Sequence, residues 1–284
     1  MIAAFVALAA LAGAAPGSPA PPMSADEFVQ AVRAATSKYH DRDVAVADGY
    51  RLIGGDFPAM GEHWIHIGLL FGGGHDPTRP EFLTYVTVNG TPRLTGVAYA
   101  VPLLPGESPP PWPWAGASWH DHVSTIDEET LIPHGEHAGH HGGEPDPSAL
   151  PPRLAMAHAW VWLANPAGTF AADNWAIPYF RLGLEEPADA PVACARALAL
   201  VAGGTAHLAA VVEGAGARAP SERRAVQKAL TRAQRAAADV VRDAQGRLEA
   251  RQVALLAEVW ARLWKDLDRA LPIPTRSRLQ AVRE

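Results

Sequence analysis

The chain has 284 residues and a formal net charge of −6, and 48% of its residues are hydrophobic, enough for a sizeable core. Its single cysteine, Cys194, excludes an internal disulfide, so the fold must be held by its core or by a metal ion. Residues 1–217 carry 9 Lys and Arg against 22 Asp and Glu, whereas residues 218–284 carry 15 against 8. These net charges of −13 and +7 predict two modules of opposite sign.

The first twenty residues have the layout of a secretory signal peptide. An apolar run from Ile2 to Leu11 is followed by small residues, and Ala12-Gly13-Ala14 fits the pattern of a cleavage site. The run is short for a membrane-spanning helix, and the alternative is an uncleaved anchor. We expect a signal peptide over residues 1–20 and an exported protein, periplasmic or extracellular, with no spanning segment after cleavage.

The next segments predict a helix and then strands. Ser24 and Glu27 form a capping-box pattern that predicts a helix over 25–38. From Glu81 apolar residues alternate, and Asn89-Gly90-Thr91-Pro92 then supplies a tight turn. The pattern predicts a hairpin with its return strand over Leu94–Val101, and a further strand over Leu154–Leu163.

The C-terminal part of the chain reads as helical. An Ala/Leu/Val helix over Pro191–Gly214 is interrupted at Gly203-Gly204, and after Pro220 the apolar residues recur at helical spacing. The predicted fold class is α+β: an antiparallel sheet or small barrel, with an N-terminal helix and a C-terminal antiparallel helical module. The expected domains are a β-rich histidine-containing domain over 24–185, a helical module over 190–272 and a tail over 273–284.

The basic C-terminal helices indicate which kinds of partner the protein could bind. Few aromatic residues are interleaved with their arginines, which argues against nucleic-acid binding. Their basic face is expected to dock on the acidic module, a protein partner or an anionic membrane surface.

Ten of the twelve histidines fall between His63 and His158, and they suggest a metal site. His120 and His122 would project from one face of a strand, a spacing that suits two ligands of one metal ion. His158 lies in a predicted strand beside tryptophans, where an unpaired imidazole would be costly. The candidate metal ligands are therefore His63, His120, His122 and His158, with His66 in a supporting or ligand role. The alternative is that these are hydrogen-bonded histidines of the core.

Other side chains complete the candidate chemistry. His134, His137, His140 and His141 are spaced by glycines and are candidates for flexible metal capture, or form a solvated loop with incidental affinity. Glu62, Asp121 and Glu128 are candidate catalytic bases if a metal-bound water is the nucleophile.

Three segments resemble a poorly characterised family of exported bacterial proteins. They are Ala59–Trp64 with Met-Gly-Glu-His-Trp, the hairpin block Arg79–Pro102, and His158–Phe170 with His-Ala-Trp and Asn-Pro-Ala-Gly-Thr-Phe. The resemblance spans roughly residues 48–175 and implies a shared β-rich core and a role for His63, His158 and Asn165, with no assigned reaction. The chain departs from the family where Ala98 precedes Tyr99, a position that often holds Glu, and where Glu62 precedes His63, a position that is often aromatic.

The leading functional hypothesis is an exported protein that binds a transition metal, zinc or copper, through histidines of the central domain. One alternative is a metal-dependent enzyme that acts through a metal-bound water. A second is a metal-free ligand-binding or scaffold protein.

Overall fold

The computed structural model describes residues 23–72, 76–104, 106–112, 119–123 and 153–283. Within these residues six antiparallel strands form one open sheet in the order β1-β2-β3-β4-β6-β5. The strands are β1 (Arg51–Phe57), β2 (Gly61–Ile65), β3 (Phe82–Val88), β4 (Thr91–Leu103), β5 (His120–Val123) and β6 (Arg153–Ala159). The predicted α+β class is confirmed. Among the described strands the sheet is open, with β1 and β5 at its edges, and does not close into a barrel.

The predicted hairpin is β3–β4. Asn89 and Gly90 both have positive φ, 50° and 76°, as a two-residue type I′ turn requires. The return strand is longer than predicted, because Thr91 and Pro92 already pair with β3 and pairing with β6 continues to Leu103.

The predicted strand over 154–163 is wrong at its C-terminal end, since β6 stops at Ala159. The backbone amides that follow leave the ladder between β6 and its neighbours. Trp160 N donates to the carbonyl of Thr169 at 2.8 Å, and Leu163 N donates to the carbonyl of Thr95 at 2.9 Å. The chain turns here into a loop that contacts the N-terminal helix through Phe170 and reaches His158 through the carbonyl of Ala172.

The N-terminal helix packs on the face of the sheet that carries Tyr85 and Tyr99. Helix α1 (Ala25–Thr36) begins at the predicted capping box, in which Ser24 and Glu27 bond reciprocally. Its Phe28 and Val32 are fully buried in a cluster with Tyr85 and Tyr99. A 3₁₀ turn (Ser37–His40) and two short helices, α2 (Arg42–Ala47) and α3 (Ile67–Leu70), were not predicted.

The remaining helices form the C-terminal module. They are α4 (Ile177–Leu182), α5 (Val192–Ala199), a π-helical turn (Leu200–Gly204), α6 (Thr205–Gly214), α7 (Pro220–Val241), α8 (Ala250–Ala270), α9 (Ile273–Arg278) and α10 (Gln280–Arg283). The predicted interruption is the π-helical turn, where Gly203 has φ 102°. Residues 273–283, expected as a tail, form two short helices and bury Thr275 and Leu279.

The apolar helix over 192–214 has a structural explanation. By length and composition it is the one described helix that could cross a membrane, and half of that segment is buried inside the protein. Cys194, Leu198 and Val212 belong to the same core as Leu230 and Leu256 of the long helices. In this structure the segment serves as a core helix of the module.

Candidate functional site

His63 lies on β2, an inner strand of the sheet. It is only 3% exposed and stands between Ile53 of β1 and Thr84 of β3. Glycine begins this strand because Gly61 has φ 76°, and a Cβ there would overlap the carbonyl oxygen of Tyr85. The close approach of β2 to β3 therefore fixes where the imidazole enters the core.

His158 lies on β6, is 1% exposed and stands opposite Ala98 of β4. Strands β3 and β4 lie between β2 and β6, which at about 4.8 Å per strand separates the backbones by roughly 14 Å. The two histidine side chains therefore lean toward each other across the sheet. Small Ala98, fully buried beside His158, leaves room for this approach.

The two imidazoles meet through their Nε2 atoms, which are 3.1 Å apart. The Nδ1 atom of His158 lies 2.8 Å from the backbone carbonyl oxygen of Ala172. Because a carbonyl only accepts, His158 Nδ1 carries a hydrogen. In the neutral ring, Nε2 of His158 then presents a lone pair to His63. Nδ1 of His63 is buried and has no hydrogen-bond partner in the described part of the protein.

Burial also sets the charge of His63. The pKa of His63 is lowered to about 4, chiefly by loss of solvent and also by the neighbouring His120, while Asp56 opposes both. The ring is therefore neutral at physiological pH, the form that ligates metal ions.

One wall of the site joins the sheet to the helical module. The ring of Phe57 lies edge-on between His63 and His207 of α6, with centroid distances of 5.7 and 5.5 Å. Burial lowers the pKa of His207 to about 4. Next to Phe57 in the chain, the carboxylate of Asp56 accepts hydrogen bonds from both terminal nitrogens of Arg181, one of them at 2.7 Å.

Three of these contributors were missed by sequence reasoning. The carbonyl of Ala172 has no side-chain signal at all, and Phe57 lies in β1, which the Gly54-Gly55 pair disguises as a loop. His207 lies outside the run of histidines between His63 and His158, and the fold brings it beside Phe57.

The structure brings His120 to the pair. It lies on β5 opposite Met156, and its ring centroid is 5.0 Å from that of His158. His122 lies on the same strand, opposite Leu154, and its side chain is outside the described residues, as is that of Asp121. The His-x-His element lies on a strand, which is the condition for its two histidines to share a face.

His66 and Glu62 lie away from the pair. His66 caps α3, since its Nδ1 accepts the amide hydrogen of Leu69 at 3.1 Å. Glu62 points to the other face of β2, where its carboxylate accepts from Trp64 Nε1 at 3.0 Å and lies 3.6 Å from Arg42.

Asn165 supports the loop that reaches His158. Its side-chain amide donates to the carbonyl of Asp173 at 2.8 Å, and its oxygen accepts from the amide of Ala167 at 3.0 Å. It thereby fixes the residue next to Ala172. Glu128 and the flexible set (His134, His137, His140 and His141) lie outside the described residues.

As arranged here, no group of three or more His, Cys, Asp or Glu side chains among the described residues is placed to hold a metal ion. The site is thus a pair of buried imidazoles, of which His63 is neutral, with a third imidazole beside them. No family model, curated protein or solved structure was found to match this chain.

Proposed function

We propose that the protein binds a transition-metal ion, zinc or copper, on the facing Nε2 atoms of His63 and His158. The observation that carries the proposal is their 3.1 Å separation inside the core, with His158 Nδ1 on the carbonyl of Ala172. Histidine ligands commonly donate their second ring nitrogen to a backbone carbonyl or carboxylate, which fixes the tautomer and aims the lone pair.

The spacing of the two nitrogens suits one ion between them. With metal–nitrogen bonds of about 2.0–2.1 Å, two ligands of a tetrahedral ion are roughly 3.3 Å apart. Two ligands at a right angle, as in a tetragonal Cu(II) site, are roughly 2.9 Å apart. The observed 3.1 Å lies between these values, whereas opposite ligands of a linear ion would be about 4 Å apart. Divalent zinc or copper is therefore favoured over a linear two-histidine site.

The hydrogen bonding of His63 argues against a purely structural pair. A histidine retained only for packing is expected to satisfy both ring nitrogens, because a buried polar atom without a partner costs free energy. His63 has a partner for Nε2 and none, among the described residues, for Nδ1. Other buried atoms of this kind lie in the helical core, on Tyr179 and Trp264, so the open Nδ1 supports the proposal only beside the facing Nε2 atoms.

Completion of the site requires a third ligand. His120 is the candidate, since its ring centroid is 5.0 Å from that of His158 and β5 is hydrogen-bonded to β6. A rotation of the His120 ring toward the pair, with water in the fourth position, would give the three-ligand arrangement of open zinc sites.

Elemental analysis of tag-free full-length protein tests the proposal. The background protein should have His134, His137, His140 and His141 changed to alanine, so that the flexible histidines contribute nothing. We expect about one equivalent of zinc or copper in this background and in the control His40→Ala, and less than about a tenth in His63→Ala and His158→Ala. If neither metal exceeds a tenth of an equivalent in the background after loading, the proposal is wrong.

Folding must be separated from ligation in that experiment. Circular dichroism should show native spectra for every variant, and His63→Gln and His158→Gln replace any alanine variant that misfolds. Retention of a full equivalent by a folded His158→Gln protein would contradict the proposed ligand pair.

A further inference from the structure

The two longest helices carry rows of basic side chains on their exposed faces. On α7, Arg224, Lys228, Arg235 and the C-capping Arg242 are separated by 4, 7 and 7 positions, which at 100° per residue places them within about 40° of one another. On α8 the exposed cations are Arg251, Arg262, Lys265 and Arg269, within about 60°. In both helices the row lies opposite the residues buried in the core.

The two rows lie on one side of the helical hairpin. Arg232 of α7 donates to Asp266 of α8 at 2.7 Å, which marks where the helices meet at the surface. Each basic row is displaced from this contact by about 60° in the same rotational sense. Because the helices are antiparallel, an equal displacement brings both rows to the same side. We call this side the basic face.

Much of the charge on the basic face is not neutralised. Arg224, Lys228, Arg235, Arg251 and Lys265 form no ion pair with any residue that the structure describes, whereas Arg242, Arg262 and Arg269 pair with acids on their own helices. The row on α7 alone spans about 27 Å, and helices in contact lie roughly 8–10 Å apart. The face is therefore broad and long, with its cations spread over it.

We propose that the basic face docks on an anionic phospholipid surface. Its dimensions suit a sheet of phosphate headgroups better than a small anion, and arginine binds phosphate oxygens with paired hydrogen bonds. Residues between the cations, such as Thr231, Ala254 and Ala261, include no aromatic ring on which a nucleic-acid base would stack. Attachment is electrostatic and reversible, since the face presents no apolar anchor.

Co-sedimentation of the full-length protein with vesicles tests this inference. The probes are vesicles of phosphatidylcholine alone and vesicles with about 30% phosphatidylglycerol, in roughly 0.05 M and 0.5 M NaCl. We expect binding only to the anionic vesicles and only at low salt. The variant Lys228→Glu/Arg235→Glu should bind at least about tenfold more weakly, whereas the equally charged control Arg79→Glu/Arg93→Glu, at exposed positions of the sheet domain, should bind like the parent.

Several outcomes would overturn the inference. Equal binding to neutral vesicles, or equal loss in the two variants, would show that the basic face is not the contact. Tighter binding to duplex DNA than to the anionic vesicles, measured in the same buffers, would assign the face to nucleic acid. Salt-sensitive self-association, seen by sedimentation velocity and lost only in Lys228→Glu/Arg235→Glu, would assign it to the acidic part of a second copy.

Discussion

The Nε2 atoms of His63 and His158 lie 3.1 Å apart, although the two residues are 95 positions apart in the chain. The contact joins an inner strand near the start of the sheet to the strand that enters it last along the chain. It is therefore formed only when the four strands from β2 to β6 in the sheet order are assembled, and it couples the stability of the core to the chemistry of the site.

A double-mutant cycle measures that coupling in the presence of a chelator. His63→Leu removes the hydrogen bond between the two rings from the core, so we expect a loss of about 1–3 kcal/mol in the free energy of unfolding. Replacing both histidines by leucine removes the partners together, so the double variant should be more stable than the sum of the single losses predicts, by about 1–2 kcal/mol. Urea denaturation followed by fluorescence gives the three values.

The control cycle combines His63→Leu with His40→Leu, since His40 is exposed and contacts Trp162 rather than the pair. These two losses should add to within about 0.5 kcal/mol. Strict additivity in the His63–His158 cycle as well would mean that the two rings do not interact.

Asn165 should affect the site through the loop that it holds. Asn165→Asp keeps the size of the side chain and the acceptor for Ala167, and removes the donor to the carbonyl of Asp173. Loss of this support next to Ala172 should weaken metal binding by about tenfold, the lower end of the range for outer-sphere partners of ligating histidines. Competition with a chromophoric chelator measures the affinity.

The control for that experiment is Asn89→Asp in the β3–β4 turn, which makes the same chemical change at a position where Asp also tolerates positive φ. It should leave the affinity unchanged. An unaltered affinity in Asn165→Asp would separate this loop from the site.

Local signals predicted much of the fold. The Ser24–Glu27 capping box and the Asn89-Gly90 turn depend on residues a few positions apart, and both form as expected. Strand β1 was missed because Gly54 and Gly55 interrupt the alternation, and they form a bulge between Ile53 and Asp56 in the structure.

The candidate site was predicted less completely because its contacts are long-range. Residue type selected His63, His120 and His158, and the sheet brings these three together. Nothing in a residue pattern reports that a backbone carbonyl, that of Ala172, will orient His158, or that His66 will cap a helix instead of joining the pair.

Glu81 should make stability depend on pH. It is 2% exposed, and loss of solvent raises its pKa to about 7 from an ordinary 4.5, against the backbone hydrogen bonds that favour its charged form. A raised carboxyl pKa means that the folded protein holds the proton more tightly. The contribution of the Glu81 carboxyl to the free energy of unfolding is therefore greatest below pH 4.5, and it is lost as the pH rises from 4.5 through about 7.

Glu81→Gln removes this titration. On going from pH 5 to pH 8, the free energy of unfolding of the variant should rise by about 2–3 kcal/mol relative to that of the parent. Urea denaturation at the two pH values measures this change. The control Glu258→Gln, at an exposed position, should alter the change in the free energy of unfolding between the two pH values by less than about 0.5 kcal/mol. If Glu81→Gln shows the same offset at both pH values, the carboxyl does not titrate in this range.

Gly61 should tolerate a side chain much less well than Gly90. Gly61 and Gly90 share φ 76°, but a Cβ at Gly61 would overlap the carbonyl oxygen of Tyr85, whereas a Cβ at Gly90 meets nothing within 4 Å. Gly90→Ala should therefore cost only the left-handed backbone strain, about 1–2 kcal/mol. Gly61→Ala should cost at least about 2 kcal/mol more, because β2 must move away from β3.

The expected displacement of β2 can be detected separately from the loss of stability. His63 lies two residues after Gly61 on the same short strand, so a shift of β2 should disturb the His63–His158 contact. Imidazole proton resonances of the two histidines should change in Gly61→Ala and stay unchanged in Gly90→Ala. Equal destabilisation in the two variants, with both sets of resonances unperturbed, would show that β2 accommodates the extra methyl group without moving.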